Sequence, residues 1–199
     1  IRRAVEAGCR RVDVFFMIGL AKQTASSVMD TVEYAGQLMS RFGKRVSCYV
    51  SPLAPFLDPG SRAYERPEEM GYTLRASTLE EHRNLLENWR WGDMLNYETE
   101  WLSRDEIVEA TYRAGSKLNE LKMHHDRIPE DVGRRVARRI RESRALEHRI
   151  AGLDREKAAM ECKDALHGVE TVAASGELAW HRSLLNFRPT GVPSLLLGL

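Results

Sequence analysis

The chain has 199 residues, with 43% hydrophobic and 30% charged side chains, and Lys+Arg balance Asp+Glu to a formal net charge of +1. This is enough chain to bury a substantial core, and the composition excludes collagen-like, low-complexity and globally disordered polymers. The near-neutral balance gives no whole-chain electrostatic footprint for nucleic acid, and no apolar run approaches the length of a membrane span.

Residues 1–10 read as the tail of a helix that Gly8 ends. The chain begins at Ile1 and not at Met, which reads as either a processed end or a start inside a longer protein, the second being the expectation. Arg11 to Ile18 is a short run rich in β-branched and aromatic residues, the pattern of a strand buried on both faces, and Gly19 closes it. Thr24 or Ser26 then caps a helix to about Phe42. Val28, Val32, Ala35, Met39 and Phe42 share its apolar face, and Gly43 stops it. Arg45 to Ser51 is a second strand. A strand, a helix and a strand joined by short Gly-marked turns form a βαβ unit, which implies parallel pairing and a right-handed crossover. Two strands do not make a stable sheet alone. Residues 1–51 therefore read as the end of a larger α/β sheet or barrel.

From Pro52 to about Ser77 the chain is punctuated by Pro52, Pro55, Pro59, Gly60, Pro67 and Gly71, and reads as a long functional loop. Thr78 with Glu81 opens a helix to about Trp89, and Ser103 with Glu106 opens another to about His125. The second helix has Ile107, Ala110, Ala114, Leu118 and Leu121 on its core face. A third helical stretch runs from Pro129 to Leu166 with a break at Gly152. After Gly168 the periodicity fades into a weakly ordered end. The predicted division is 1–77, 78–128 and 129–199: end of a sheet, helical extension, and charged helical tail.

The turn after the first strand is the main candidate site. A strand that ends in Gly and turns into a helix places backbone at the carboxyl edge of a parallel sheet, where ligands of such folds bind. Gly19 lets a flat group approach the backbone, and the helix N-terminus beyond Thr24 favours an anionic group.

The segment Phe-Phe-Met-Ile-Gly-Leu-Ala-Lys-Gln-Thr at 15–24 resembles the fifth-strand segment of radical S-adenosylmethionine enzymes. Ser51-Pro-Leu-Ala-Pro-Phe-Leu-Asp-Pro-Gly-Ser61 is similar to their segment after the sixth strand. Leu95 to Val108 resembles the post-barrel part of the group that carries a cobalamin-binding domain. The likeness covers residues 1 to about 125. It departs at Ala21, where the family usually has Pro, and in lacking the family's Cys-x-x-x-Cys-x-x-Cys. That motif holds three irons of a 4Fe–4S cluster, leaving the fourth for the cofactor.

The resemblance implies an α/β fold: the last βαβ unit of a partial (β/α)6 TIM-like barrel, followed by a mostly α-helical extension. It implies a cytoplasmic parent enzyme using S-adenosylmethionine and a 4Fe–4S cluster, with cobalamin as a further cofactor of the group. This chain, without cluster ligands, is expected to be inactive alone. Carried over residue by residue, the cofactor contacts are Ile18, Gly19, Leu20 and Gln23 after the first strand, and Ser51 and Leu53 after the second. The expected partner is the amino-terminal part of the same barrel, and the substrate is left undefined.

Other clusters have plainer readings. Cys9, Cys48 and Cys162 are expected to be buried, reduced thiols. His124 and His125 read as a cationic helix end, since adjacent residues point about 100° apart. Glu98, Glu100, Asp105 and Glu106 read as caps and exposed charges. Trp89, Trp91, Tyr97 and Trp101 are expected to pack the helical part against the barrel mouth. The basic run over 134–149, with Arg134, Arg135, Arg138, Arg139, Arg141 and Arg144, supports the rival reading, a helical interaction or nucleic-acid-binding module. The interleaved Glu142 and Glu147 fit a solvated helix laced with ion pairs instead.

Overall fold

Seven-residue runs of alternating side chains build the first sheet. β1 (Val12–Ile18) and β2 (Val46–Pro52) pair in parallel, with Val12 opposite Val46 and Ile18 opposite Pro52. The structure, a computed structural model, describes residues 1–52 and 57–166. The helix tail expected at the start is α1 (Arg2–Glu6). Between the strands runs α2 (Ala25–Phe42), opened by a reciprocal Thr24–Ser27 capping box and ended by Gly43. Thr24, of the two caps the sequence offered, is the one used; such a cap stabilises a helix by about 1 kcal/mol.

The face of α2 carrying Val28, Val32, Ala35 and Met39 buries against the sheet, where Ile18, Val46 and Cys48 are solvent-free. The opposite face of the sheet is open along β1 only; on β2, Ser47 is buried and Lys122 lies over the Tyr49 ring at 4.4 Å. Phe15 is 58% and Met17 45% exposed, so burial of β1 alternates and the expectation of a strand buried on both faces does not hold. Phe15 stacks on Tyr49 of β2 with ring centroids 4.9 Å apart, which shelters part of that face.

The stretch after β2 is less bare than its prolines imply. It contains α3 (Arg62–Glu65), a 3-10 turn at Glu68–Met70, and β3 (Tyr72–Leu74). β3 pairs antiparallel with β4 (Tyr97–Thr99), placing Tyr72 opposite Thr99 and Leu74 opposite Tyr97. Both strands are three residues long, below the length at which alternation is a readable signal. Between them lie α4 (Leu79–Leu86), with the Thr78–Glu81 capping box, and α5 (Trp91–Met94). α4 ends three residues before Trp89.

α6 (Arg104–His124) starts at the Ser103–Glu106 capping box and packs on α2 and β2 through Ile107, Ala114 and Leu118. Just beyond it, Arg127 donates to the Val46 carbonyl at 2.8 Å. α7 (Glu130–Ile150) and α8 (Arg155–Leu166) fold back on one another at Gly152. Gly152 has φ +74°, a conformation that other residues adopt only with strain. The predicted weak order after Gly168 lies outside the described residues. The fold is mixed α/β and predominantly helical, with two small sheets among the described residues. Among the described residues no helix is long and apolar enough to cross a membrane.

Candidate functional site

At the carboxyl end of β1 the chain reverses into α2 through Gly19–Lys22. Gly19 has φ +89° and Lys22 φ +62°. Gln23 closes the turn with its side-chain amide. Its Oε1 accepts from the Gly19 amide at 2.8 Å and from the Leu20 amide at 3.2 Å, and its Nε2 donates to the Met17 carbonyl at 3.1 Å. The Ala21 amide donates to the Tyr72 hydroxyl at 2.9 Å. The donors of residues 19–21 are therefore satisfied by the chain itself.

The group that approaches Gly19 closely is Tyr97. A Cβ on Gly19 would lie 2.6 Å from the Tyr97 hydroxyl and 3.1 Å from its ring. Tyr97 is fully buried and meets Tyr72 edge to face, with centroids 5.7 Å apart. Burial raises the pKa of Tyr97, and Tyr72 adds to it. Burial also raises that of Tyr72, against the Ala21 hydrogen bond that lowers it. Both hydroxyls stay protonated around neutrality, the state in which Tyr72 accepts from Ala21 while keeping its own proton.

The predicted site residues separate into two groups. Ile18 and Gly19 are buried, Ile18 within the core under α2. Gln23 is half-buried and committed to the turn. Leu20 and Ser51 are exposed at the end of the sheet, and Ser51 pairs in register with Met17. Leu53 lies outside the described residues. The surface presented there is apolar and open, formed by Phe15, Met17 and Leu20, with Ser51 as its polar edge.

A buried asparagine ties the segment downstream of β2 to this region. Asn96 Oδ1 accepts from the Leu57 amide at 2.8 Å, and its Nδ2 donates to the Leu57 carbonyl at 3.3 Å. Nδ2 also lies 2.9 Å from His82 Nε2, while His82 Nδ1 is 2.7 Å from the Thr78 carbonyl. That pattern assigns the His82 proton to Nδ1. Sequence reading missed Asn96 and Tyr72 because each needs a partner about forty or fifty residues away. The open face at Phe15 and Met17 was missed as well, because an apolar run of this kind reads as a strand buried on both faces.

No cluster chemistry is assembled by these residues. Cys9 is exposed, contrary to the expectation of three buried thiols. Cys48 is buried with Sγ 3.7 Å from the Ala35 carbonyl, and Cys162 packs with Ile150 and Ala158. Among the described residues no group of three His, Cys, Asp or Glu side chains converges as a metal site. Glu106 serves its cap, Glu98 pairs with Arg75, and Asp105 pairs with Arg90. His124 and His125 end α6 with their rings 4.9 Å apart. Of the aromatic group, Tyr97 meets Gly19, Trp101 packs at Gly71, and Trp91 donates to the Tyr112 hydroxyl at 3.1 Å, while Trp89 is 41% exposed.

In the basic run, Arg134 pairs with Glu130, Arg135 with Asp131, Arg138 and Arg139 with Glu142, and Arg144 with Glu109. Glu147 departs from the solvated-helix expectation: it is buried and faces Arg90. Comparison with protein-family models, with curated proteins and with solved structures found no match to the chain.

Proposed function

We propose that the chain is the carboxy-terminal part of a radical S-adenosylmethionine enzyme of the cobalamin-associated group. In this reading β1 and β2 are the last two strands of a partial (β/α)6 barrel, and residues from 78 onward are its helical extension. The observation that carries it is the parallel β1–β2 pair, ending at Gly19 and Ser51 beside an uncovered apolar face. A parallel sheet needs cover on both faces, and the barrel reading supplies it from the strands that precede β1.

Cys9, Cys48 and Cys162 do not fit a 4Fe–4S cluster, since they lie in separate surroundings. The cluster ligands are assigned to the part of the parent protein upstream. This chain's own contribution is a wall of the cofactor pocket. Leu20 and Met17 give apolar contact, and Ser51 gives a hydroxyl. Gln23, Tyr72 and Tyr97 hold the Gly19 turn in shape from behind. The turn is better suited to a flat, weakly charged group than to an anion, because its amides at residues 19–21 already have acceptors.

The test is a titration of S-adenosylmethionine into protein expressed from the complete reading frame, beside its Leu20→Lys variant. Leu20 is exposed, so the substitution leaves the fold intact. Binding weakened about tenfold, or roughly 1.4 kcal/mol, supports the assignment. Unchanged binding removes the turn from the pocket.

A further inference from the structure

One guanidinium serves three carboxylates where α5, α6 and α7 meet. Arg90 Nη2 lies 2.5 Å from Asp105, Nη1 3.6 Å from Asp93, and Nε 3.3 Å from Glu147 Oε1. The three acids are unequal. The side chain of Asp105 is 78% exposed and that of Asp93 38%, but that of Glu147 only 7%. Water can solvate the first two. Glu147 depends on the protein, and the same Oε1 that meets Arg90 also accepts from the Gly92 amide at 3.3 Å. Both contacts are at the long end of the hydrogen-bond range, and the short bond from Arg90 goes to Asp105.

We propose that Glu147 is a proton-dependent latch that docks α7, and with it α8, onto α5 and α6. With a proton, Glu147 sits in its buried place without an uncompensated charge. Without one, it competes with Asp93 and Asp105 for a single cation. Burial is the main influence pushing its pKa up, Asp93 adds to it, and Gly92 and Arg90 oppose it without cancelling it. Around Arg90, burial lowers the guanidinium pKa, and the surrounding carboxylates more than reverse this.

The other groups facing the joint are identifiable. From α6 come Glu109, occupied by Arg144 at 2.6 Å, and the Tyr112 hydroxyl, which accepts from Trp91. His148 of α7 lines, together with Arg90, Asp105 and Glu147, a cavity of about 220 Å3. From α8 comes Cys162, whose thiol is pushed up by burial and by the fields of Glu147 and Glu161; Glu161 itself pairs with Arg149 at 3.3 Å. None of these places a second cation on Glu147.

A carboxyl whose pKa is higher folded than unfolded stabilises docking most at low pH, and this stabilisation is lost as pH rises through the folded value. α7 should therefore loosen as pH climbs above the ordinary carboxylate range. The inference is independent of the enzyme family proposed above.

Hydrogen exchange of the full chain tests it, with protection over 130–150 compared with that over α2 at each pH and corrected for intrinsic exchange. A His148→Gln background removes the histidine. The expected result is a relative opening of α7 that grows with pH, about tenfold for each unit by which the folded carboxyl exceeds the unfolded one. Glu147→Gln should abolish the dependence, and Asp93→Asn should move the midpoint to lower pH. Persistence of the same pH dependence in Glu147→Gln, or opening that grows as pH falls through this range, overturns the proposal. Should Glu147→Gln fail to fold, an unmoved midpoint in Asp93→Asn overturns it instead.

Discussion

The Tyr97 hydroxyl occupies the space that a side chain at Gly19 would need, 2.6 Å from the position of its Cβ. Two residues 78 positions apart are thus fitted to each other, and the antiparallel β3–β4 pair is thereby seated against the turn between β1 and α2. Gly19 is required twice, by its φ of +89° and by this contact.

Gly19→Val should therefore cost stability before it affects any ligand. The left-handed backbone and the collision with a buried ring together predict a loss of about 3 kcal/mol. Urea unfolding measures it. Gly19→Ala should cost less in a Tyr97→Phe background than in the unaltered chain, because the colliding oxygen is gone. An equal cost of Gly19→Ala in both backgrounds would show that the contact is not tight.

The turn itself depends on Gln23 and Tyr72. Tyr72→Phe leaves the Ala21 amide without its acceptor and should cost about 1–2 kcal/mol. Gln23→Leu removes the acceptor of two amides and the donor to Met17, and should cost more than Tyr72→Phe. The denaturation midpoints of the two variants decide the order, and the reverse order would contradict the role given to Gln23.

At the start of α4, the Glu81 carboxylate accepts from the Ser77 and Thr78 amides, which lower its pKa to about 2. Its folded value lies below the unfolded one. The cap is therefore fully formed above the ordinary carboxylate range and is lost as pH falls toward about 2. A carboxyl-detected NMR titration should find Glu81 still ionised at pH 3.5. Titration near 4.5, the ordinary value, would mean that the capping box is open in solution.

The uncovered face of β1 predicts self-association. Phe15 and Met17 are exposed large apolar side chains on a short parallel sheet. Exposed apolar strands template pairing with other chains. Sedimentation of the isolated chain should show concentration-dependent oligomers, which Phe15→Lys with Met17→Lys should dissociate. A monomer at every concentration would indicate that the face needs no cover.

Much of the fold was legible because its signals are local. The Thr78–Glu81 and Ser103–Glu106 pairs fix two helix starts within four residues of sequence, and Gly43 and Gly152 mark where helices stop. The βαβ order follows from the same kind of signal. What was not legible is non-local or short. β3 and β4 are three residues each and exist through pairing with one another. Asn96 reads as a polar loop residue until Leu57 is placed against it. Glu147 sits among arginines in sequence, but its partner is Arg90 on a different element. Gly19 was legible as a special position, although its neighbour turned out to be a tyrosine of the same chain.

The central claim is tested most directly by expressing the complete reading frame and this chain side by side, then reconstituting both anaerobically with iron and sulfide. The account predicts that the complete frame contains Cys-x-x-x-Cys-x-x-Cys upstream of Ile1 and yields a 4Fe–4S absorbance that responds to S-adenosylmethionine. This chain alone should yield no such absorbance and bind the cofactor no better than about millimolar, since a few hydrogen bonds of roughly 1 kcal/mol each do not offset the freedom a small ligand loses. A complete frame without the motif, or a cluster assembled by this chain alone, would contradict it.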